Sequence, residues 1–180
     1  RRWATGYRFL NLYGPTEVSI CTTIMDYRDY TPTAPNQPPP IGCAVADKQL
    51  YILDANRQLT PIGVPGELYV GGPGLARGYL NQPALTEETF IPNPFAQPDD
   101  VNNRRLYKTG DLVRLLPSAP NRLPNLEFLG RIDQQVKIRG FRIEISEIET
   151  LLNEHPALQA AVVVVQEVRG EKSLVAYFVV

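Results

Sequence analysis

Proline and glycine punctuation constrains this chain more than any other feature. Seventeen prolines and thirteen glycines cut its 180 residues into short pieces. Between the breaks lie runs of strand type, "QLYILD", "GELYVGG", "RLYKTGDLVRLL" and "LEFLGR", β-branched or aromatic and bounded by Gly, Pro, Asn or Asp. This middle region is expected to form an antiparallel β-barrel or sandwich. Two proline-rich stretches, 31–40 and 116–125, read as stiff extended loops. One short helix is expected at "PALTEETF", with Pro83 in its first turn and Pro92 beyond its end.

The last third changes character. From Gln135, Val136 and Ile138 share one face and Lys137 and Arg139 the other. After Gly140 the phase flips, which predicts a hairpin folded at that glycine. "SEIETLLNEHP" then reads as a helix with a Ser146–Glu149 capping box, a buried stripe of Ile148, Leu151 and Leu152, and Pro156 as its stop. "LQAAVVVVQEV" and "SLVAYFVV" follow as strands, the first apolar on both faces and so expected to be buried. Strand, helix and strand in this order suggest the start of a small α+β domain.

Eighteen basic against nineteen acidic residues give a net charge of −1, and 43% hydrophobic with 21% charged residues is an ordinary globular profile. No global positive field exists to hold a nucleic-acid backbone. No apolar run approaches a membrane span. Cys21 and Cys43, without a CxxC and with a single histidine, argue against a disulfide framework or zinc site and suit reduced, cytoplasmic thiols. The opening "RRWATGYRF" lacks Met and a signal-like core, and the expected context is a larger polypeptide.

Four stretches could carry chemistry. In "NLYGPTEVS" a strand ends at Tyr13 and breaks at Gly14-Pro15. Glu17 is then able to meet a hard cation, Thr16 a phosphate oxygen and Tyr13 a base. The plain alternative is a Gly-Pro turn with an exposed carboxylate. "GELYVGGPGLARGYL" has neither phosphate-loop spacing, and reads as a strand and a glycine-rich turn needing positive φ or close backbone packing. Asp111 in "YKTGDLV" is placed to accept from vicinal hydroxyls or to sit on a solvated turn. Arg131, Lys137, Arg139 and Arg142 around Phe141 form an anion site or a solvated face.

Taken in order, "NLYGPTE", "GELYVGGPGLARGYL", "YKTGDL" and "GRIDQQVKIRGFRIEISEIE" resemble the later core motifs of adenylation domains from non-ribosomal peptide synthetases. Those domains belong to the adenylate-forming superfamily with acyl-CoA ligases and luciferases. The resemblance covers nearly the whole chain. It implies an α/β multi-domain adenylate-forming fold. Residues 1–132 would be the later part of the large core with its β-barrel, and 133–180 the hinge and the start of a mobile C-terminal subdomain.

It also implies a two-step reaction. An amino acid and Mg·ATP give aminoacyl-AMP and pyrophosphate, and the acyl group then passes to the phosphopantetheine thiol of a carrier domain. A condensation domain would lie in the same polypeptide. By resemblance, Asn11 and Tyr13 hold the adenine, Thr16 touches the α-phosphate and Glu17 binds Mg²⁺, the last two forming the catalytic set. Asp111 grips the ribose, with Arg131 and Lys137 beside ribose and phosphate, and Phe128 lies near the adenine. Leu12, Ile20 and Cys21 match the amino-acid pocket, Asp133 the hinge, and Arg139, Gly140 and Phe141 the pantetheine channel.

The chain departs from the pattern at "LPSAPNRLPN", longer than the usual tight turn, and at Ile145-Ser146, where Leu-Gly is commoner. Two rival readings are a stand-alone D-alanine–carrier ligase or acyl-CoA synthetase, and a non-catalytic nucleotide-binding module. The resemblance places the family's phosphate loop before Arg1 and its catalytic lysine after Val180. The isolated 180 residues are therefore expected to give no turnover in ATP–pyrophosphate exchange, and robust exchange would refute this.

Overall fold

The computed structural model describes residues 7–30, 32, 37–45, 47–118, 123–168 and 170–180. Half of the 31–40 loop and the middle of the 116–125 loop lie outside them. The chain divides into two compact units, Arg1–Ile132 and Asp133–Val180.

In the first unit, β1 (Leu10–Tyr13) pairs antiparallel with β2 (Thr23–Asp26), and β2 with the short β3 (Cys43–Ala44). A larger antiparallel sheet holds β4 (Gln49–Leu53), β5 (Gly66–Gly71), β6 (Phe90–Pro92), β7 (Arg105–Leu115) and β8 (Leu126–Arg131). Helix α1 (Pro83–Thr89) precedes β6 and begins on Pro83, whose missing N–H costs nothing at that position. Strand β7 pairs with β5, with β6 through its first residues, and with β8 through its last. Among the described residues no barrel closes, because β4 pairs only with β5 and the sheet stays open there.

Period-two alternation sends side chains to both faces of the larger sheet. Ile52, Leu68, Val70, Phe90, Tyr107, Val113 and Leu126 form one cluster with Val18 and Ile41. Leu53, Tyr69, Ile91 and Leu106 form a second. Residues 41–42 bridge to Leu126, with Ile41 N–H donating to the Leu126 carbonyl and Leu126 N–H to that of Gly42, both at 2.8 Å. The strand ending in Tyr13 is thereby tied to β8.

In the second unit, β9 (Val136–Ile138) and β10 (Phe141–Ile143) form a hairpin with Phe141 opposite Ile138. Arg139 and Gly140 make the two-residue turn at φ 51° and 84°, the double positive φ of a type I′ hairpin. Helix α2 (Ile145–Asn153) follows, then the hairpin of β11 (Ala160–Val168) and β12 (Glu171–Val179).

Three sequence expectations are corrected in this unit. Glu144 occupies the N-cap of α2 with no side-chain capping bond, so no Ser146–Glu149 box forms. The Glu149 carboxylate instead accepts from Val163 N–H at 2.7 Å, because β11 lies beside the helix and offers a backbone donor. The buried residue of α2 is Ile145, while Leu151 is 68% exposed. Strand β11 buries only Val163 among its described side chains, leaving Val162 exposed; it pairs with β12 alone and packs on α2.

Leu68 has no exposed surface and sits between β4 and β7. Leu68→Ala should lower unfolding free energy by about 2–5 kcal/mol, measured by chemical denaturation.

Candidate functional site

The turn after β1 is set by backbone crowding. A Cβ on Gly14 would run into the Ile20 carbonyl and the Thr22 N–H, so no other residue fits without a shift. Pro15 leads extended into a 3-10 turn, Thr16–Val18, and Ser19 and Ile20 then take left-handed φ of 64° and 70°. Thr22 N–H closes the loop onto the Tyr13 carbonyl at 2.8 Å. This path turns Glu17 inward, only 7% exposed, and leaves Thr16 outside. The plain reading of an exposed turn carboxylate is thereby excluded.

The glycine-rich segment 72–79 braces that turn. Gly72 and Gly74 have φ of 95° and 85°, and a Cβ on Gly72 would strike the Asp47 carbonyl. Ala76 N–H donates to the Glu17 carbonyl at 2.7 Å, and Ser19 Oγ to the Gly74 carbonyl at 2.8 Å. Lys48 Nζ spans both segments, donating to Val18 at 2.9 Å and Pro73 at 2.6 Å. Tyr79 Oη donates to Glu17 Oε1 at 2.9 Å.

Asp111 lies on β7, 6% exposed, with Tyr13 Oη donating to Oδ2 and Arg131 Nη1 to Oδ1 at 2.8 Å. Thr109 Oγ1 accepts from Asp111 N–H at 3.0 Å, which fixes the strand at this point. The Phe128 ring is 6.5 Å from that of Tyr13 and is 39% exposed. Removing one member of such a buried ion pair costs about 3–5 kcal/mol, because the other charge stays desolvated.

Each of the two carboxylates accepts from a phenol. Tyr107, 1% exposed, packs its ring on Phe90 at 5.3 Å, as Tyr79 does at 5.7 Å. Asp111 and Glu17 are thus each bonded to a tyrosine hydroxyl, that of Tyr13 and that of Tyr79. Burial, then the Asp111 carboxylate, push the Tyr13 phenol far above its ordinary pKa; burial, then Tyr107 and Glu17, do the same to Tyr79. Both phenols remain hydrogen-bond donors across the neutral range.

Of the other predicted residues, Asn11 donates through Nδ2 to the Pro40 carbonyl at 3.1 Å. Leu12 and Ile20 are exposed at 57% and 76%, and Cys21 is half-buried with a free thiol. Lys137, Asp133, Arg139, Gly140 and Phe141 belong to the second unit. There Asp133 Oδ1 accepts from Gln135 N–H at 3.0 Å, and Lys137 is exposed on β9. Arg139 pairs with Glu171 at 3.1 Å and Arg142 with Glu144 at 3.6 Å, so these cations face acidic partners. Phe141 is 73% exposed at the hairpin tip.

Known proteins share this pattern. The family model described as AMP-binding enzyme matches residues 1–80. A linear gramicidin synthase of Brevibacillus parabrevis is 52% identical over 179 residues, 99% of this chain. Residues 1–80 therefore carry the sequence pattern of AMP-binding enzymes. The chain spans 3% of that synthase's length. PA1221, an NRPS protein containing adenylation and PCP domains, superposes with a TM-score of 0.76 at 29% identity, over 97% of this chain and 33% of its own. Holo-AB3403, a four-domain nonribosomal peptide synthetase bound to AMP and glycine, gives 0.54 at 38% identity, over 95% and 12%. The resemblance to synthetase adenylation domains read from the motifs is thus shown by both sequence and fold.

Among the described residues no three acidic, His or Cys side chains cluster as a metal site. A hard cation at Glu17 would therefore draw most of its ligands from a bound phosphate chain, as Mg²⁺ commonly does. Sequence reasoning missed Lys48, Tyr79 and Tyr107. Tyr79 follows a glycine-rich turn that reads as structural, Tyr107 opens the YKTGDL stretch in which only Asp111 offers an evident ligand group, and Lys48 carries no motif signal.

The raised phenols predict an alkaline signature. Tyr69, shifted first by burial and then by Glu67, has its pKa pushed up to about 12. Unfolded tyrosine ionises near pH ~10, so the folded state holds more protons above that point. The contribution of Tyr69 to stability should be constant below pH ~10 and be lost as pH rises through ~12. Urea titrations across that range should show the loss, and Tyr69→Phe should flatten part of it.

Proposed function

We propose that the polypeptide carrying this chain activates an amino acid as its adenylate and passes it to a carrier-bound thiol. The observation that carries this reading is a pair of buried carboxylates, Glu17 and Asp111, each held by a tyrosine hydroxyl, in a chain whose residues 1–80 match the AMP-binding enzyme model. The named relatives add support, since one is a gramicidin synthase and one solved structure holds AMP and glycine.

In this reading residues 1–132 are the later part of the adenylation core, and 133–180 the hinge at Asp133 and the start of the mobile subdomain. An amino-acid carboxylate oxygen attacks the α-phosphorus of ATP, the bond to the β-phosphate bridge breaks, and pyrophosphate leaves. The phosphopantetheine thiol then attacks the acyl carbon and AMP departs. No enzyme nucleophile is needed, so the chain's task is placement and charge stabilisation.

Asp111, held by Tyr13 and Arg131, presents its remaining lone pairs to the ribose hydroxyls. Asn11, Tyr13 and Phe128 border the adenine, and Thr16 meets the α-phosphate. Glu17 receives Mg²⁺, which when bound neutralises charge on the triphosphate. Leu12, Ile20 and Cys21 form one uncharged wall of the amino-acid pocket. Lys137 serves ribose and phosphate, and the Arg139–Gly140–Phe141 tip borders the pantetheine channel. The partners are a carrier domain and a condensation domain of the same polypeptide, and the setting is the cytoplasm.

The test is Glu17→Gln in the intact adenylation domain, assayed by ATP–pyrophosphate exchange with its preferred amino acid. The expected result is a fall in kcat of about 100-fold or more, with nucleotide affinity changed far less. Unchanged kinetics would overturn the role of Glu17.

A further inference from the structure

One polar contact at the site belongs to no role assigned above. Tyr79 Oη donates to Glu17 Oε1, although a half-buried phenol is equally satisfied by a backbone carbonyl or water. Its support is built in several layers. Tyr79 N–H donates to Thr86 Oγ1 at 2.9 Å, and Thr86 Oγ1 donates to the Gln82 carbonyl at 2.8 Å, at the start of α1. Gly78 lies so close to the Thr86 side chain that a Cβ there would collide with it. The Tyr79 ring packs on Phe90 at 5.7 Å, and the Arg105 guanidinium lies 5.4 Å above that same ring. Arg105 also donates to the Ala76 and Arg77 carbonyls at 3.0 and 3.1 Å, which ties down the segment leading into Tyr79.

A hydroxyl supported this firmly has a consequence for a glutamate. Glu17 has a long side chain with several rotamers, and ordering it costs entropy each time a ligand binds. A donor fixed in place selects one orientation beforehand. Partners behind a metal ligand commonly act in this way.

We propose that Tyr79 is a positioning residue for amino-acid activation, its hydroxyl holding the Glu17 carboxylate in the orientation that receives a divalent cation. This rests on the reading of Glu17 as the cation's protein ligand.

The test uses the intact domain with a non-hydrolysable ATP analogue and Mn²⁺ as probe, its dissociation constant read by electron paramagnetic resonance. Tyr79→Phe keeps the ring and should raise that constant about 10-fold, with the thermal midpoint little changed. Glu17→Gln should raise it at least as much, and the double variant should be no worse than Glu17→Gln alone, because the hydroxyl acts only through the carboxylate. If Glu17→Gln raises the constant and Tyr79→Phe does not, the role of Tyr79 is overturned while that of Glu17 stands. If neither moves it, the Glu17 reading falls first. Additive effects would also overturn the proposal. Thr86→Val, which removes the support of Tyr79 without touching the phenol, should raise the constant roughly threefold; no change there defeats the proposal even if Tyr79→Phe fails to fold.

Discussion

The first unit depends on one strand being fully used. Strand β7 carries three partners, β5 along one side and β6 then β8 along the other, and this forces alternate side chains into crowded surroundings on both faces. Tyr107, Thr109, Asp111 and Val113 are all buried on it. Two of these are core and two are polar, so the strand that builds the interior also delivers a carboxylate into it. Thr109 offsets part of that cost: its hydroxyl donates to the Leu68 carbonyl at 2.8 Å and accepts from Asp111 N–H. A carboxylate so placed meets little water, and its bonds to Tyr13 and Arg131 are correspondingly strong.

The same economy explains how the opening turn is held. Glu17 turns inward because Gly14 permits a path that no side chain could follow, and because backbone groups from segment 72–79 meet it there. The brace uses main-chain atoms and the side chains of Lys48, Ser19 and Tyr79. That is why the glycine-rich stretch, which lacks any phosphate-binding spacing, still matters to the site. Its glycines let two backbones approach each other, a different use from cradling a ligand.

Much of this was legible in the sequence. Strands β4, β5, β7 and β8 and helix α1 coincide with runs read from residue type and punctuation, and the hairpin folds at Gly140 as the phase change implied. What was not legible depended on neighbours distant in sequence. Glu149 looked like a capping residue, yet a strand N–H fourteen positions later takes its carboxylate. The valine run of β11 looked fully buried, but alternation alone cannot say what lies against each face. Lys48 and Tyr79 were invisible because their partners sit 30 and 62 residues away. The motif order, by contrast, pointed to the synthetases that the chain resembles.

Leu12 and Ile20 stand clear of the interior while their main chain is pinned, Ile20 N–H to Pro15 at 3.2 Å and Cys21 N–H to Ser19 at 2.8 Å. Evolution is thus handed a rigid frame with interchangeable tips. On the proposed reading of these two residues as one wall of the amino-acid pocket, new side chains there leave the packing underneath untouched, and selectivity is free to drift without each change first requiring repair of the scaffold.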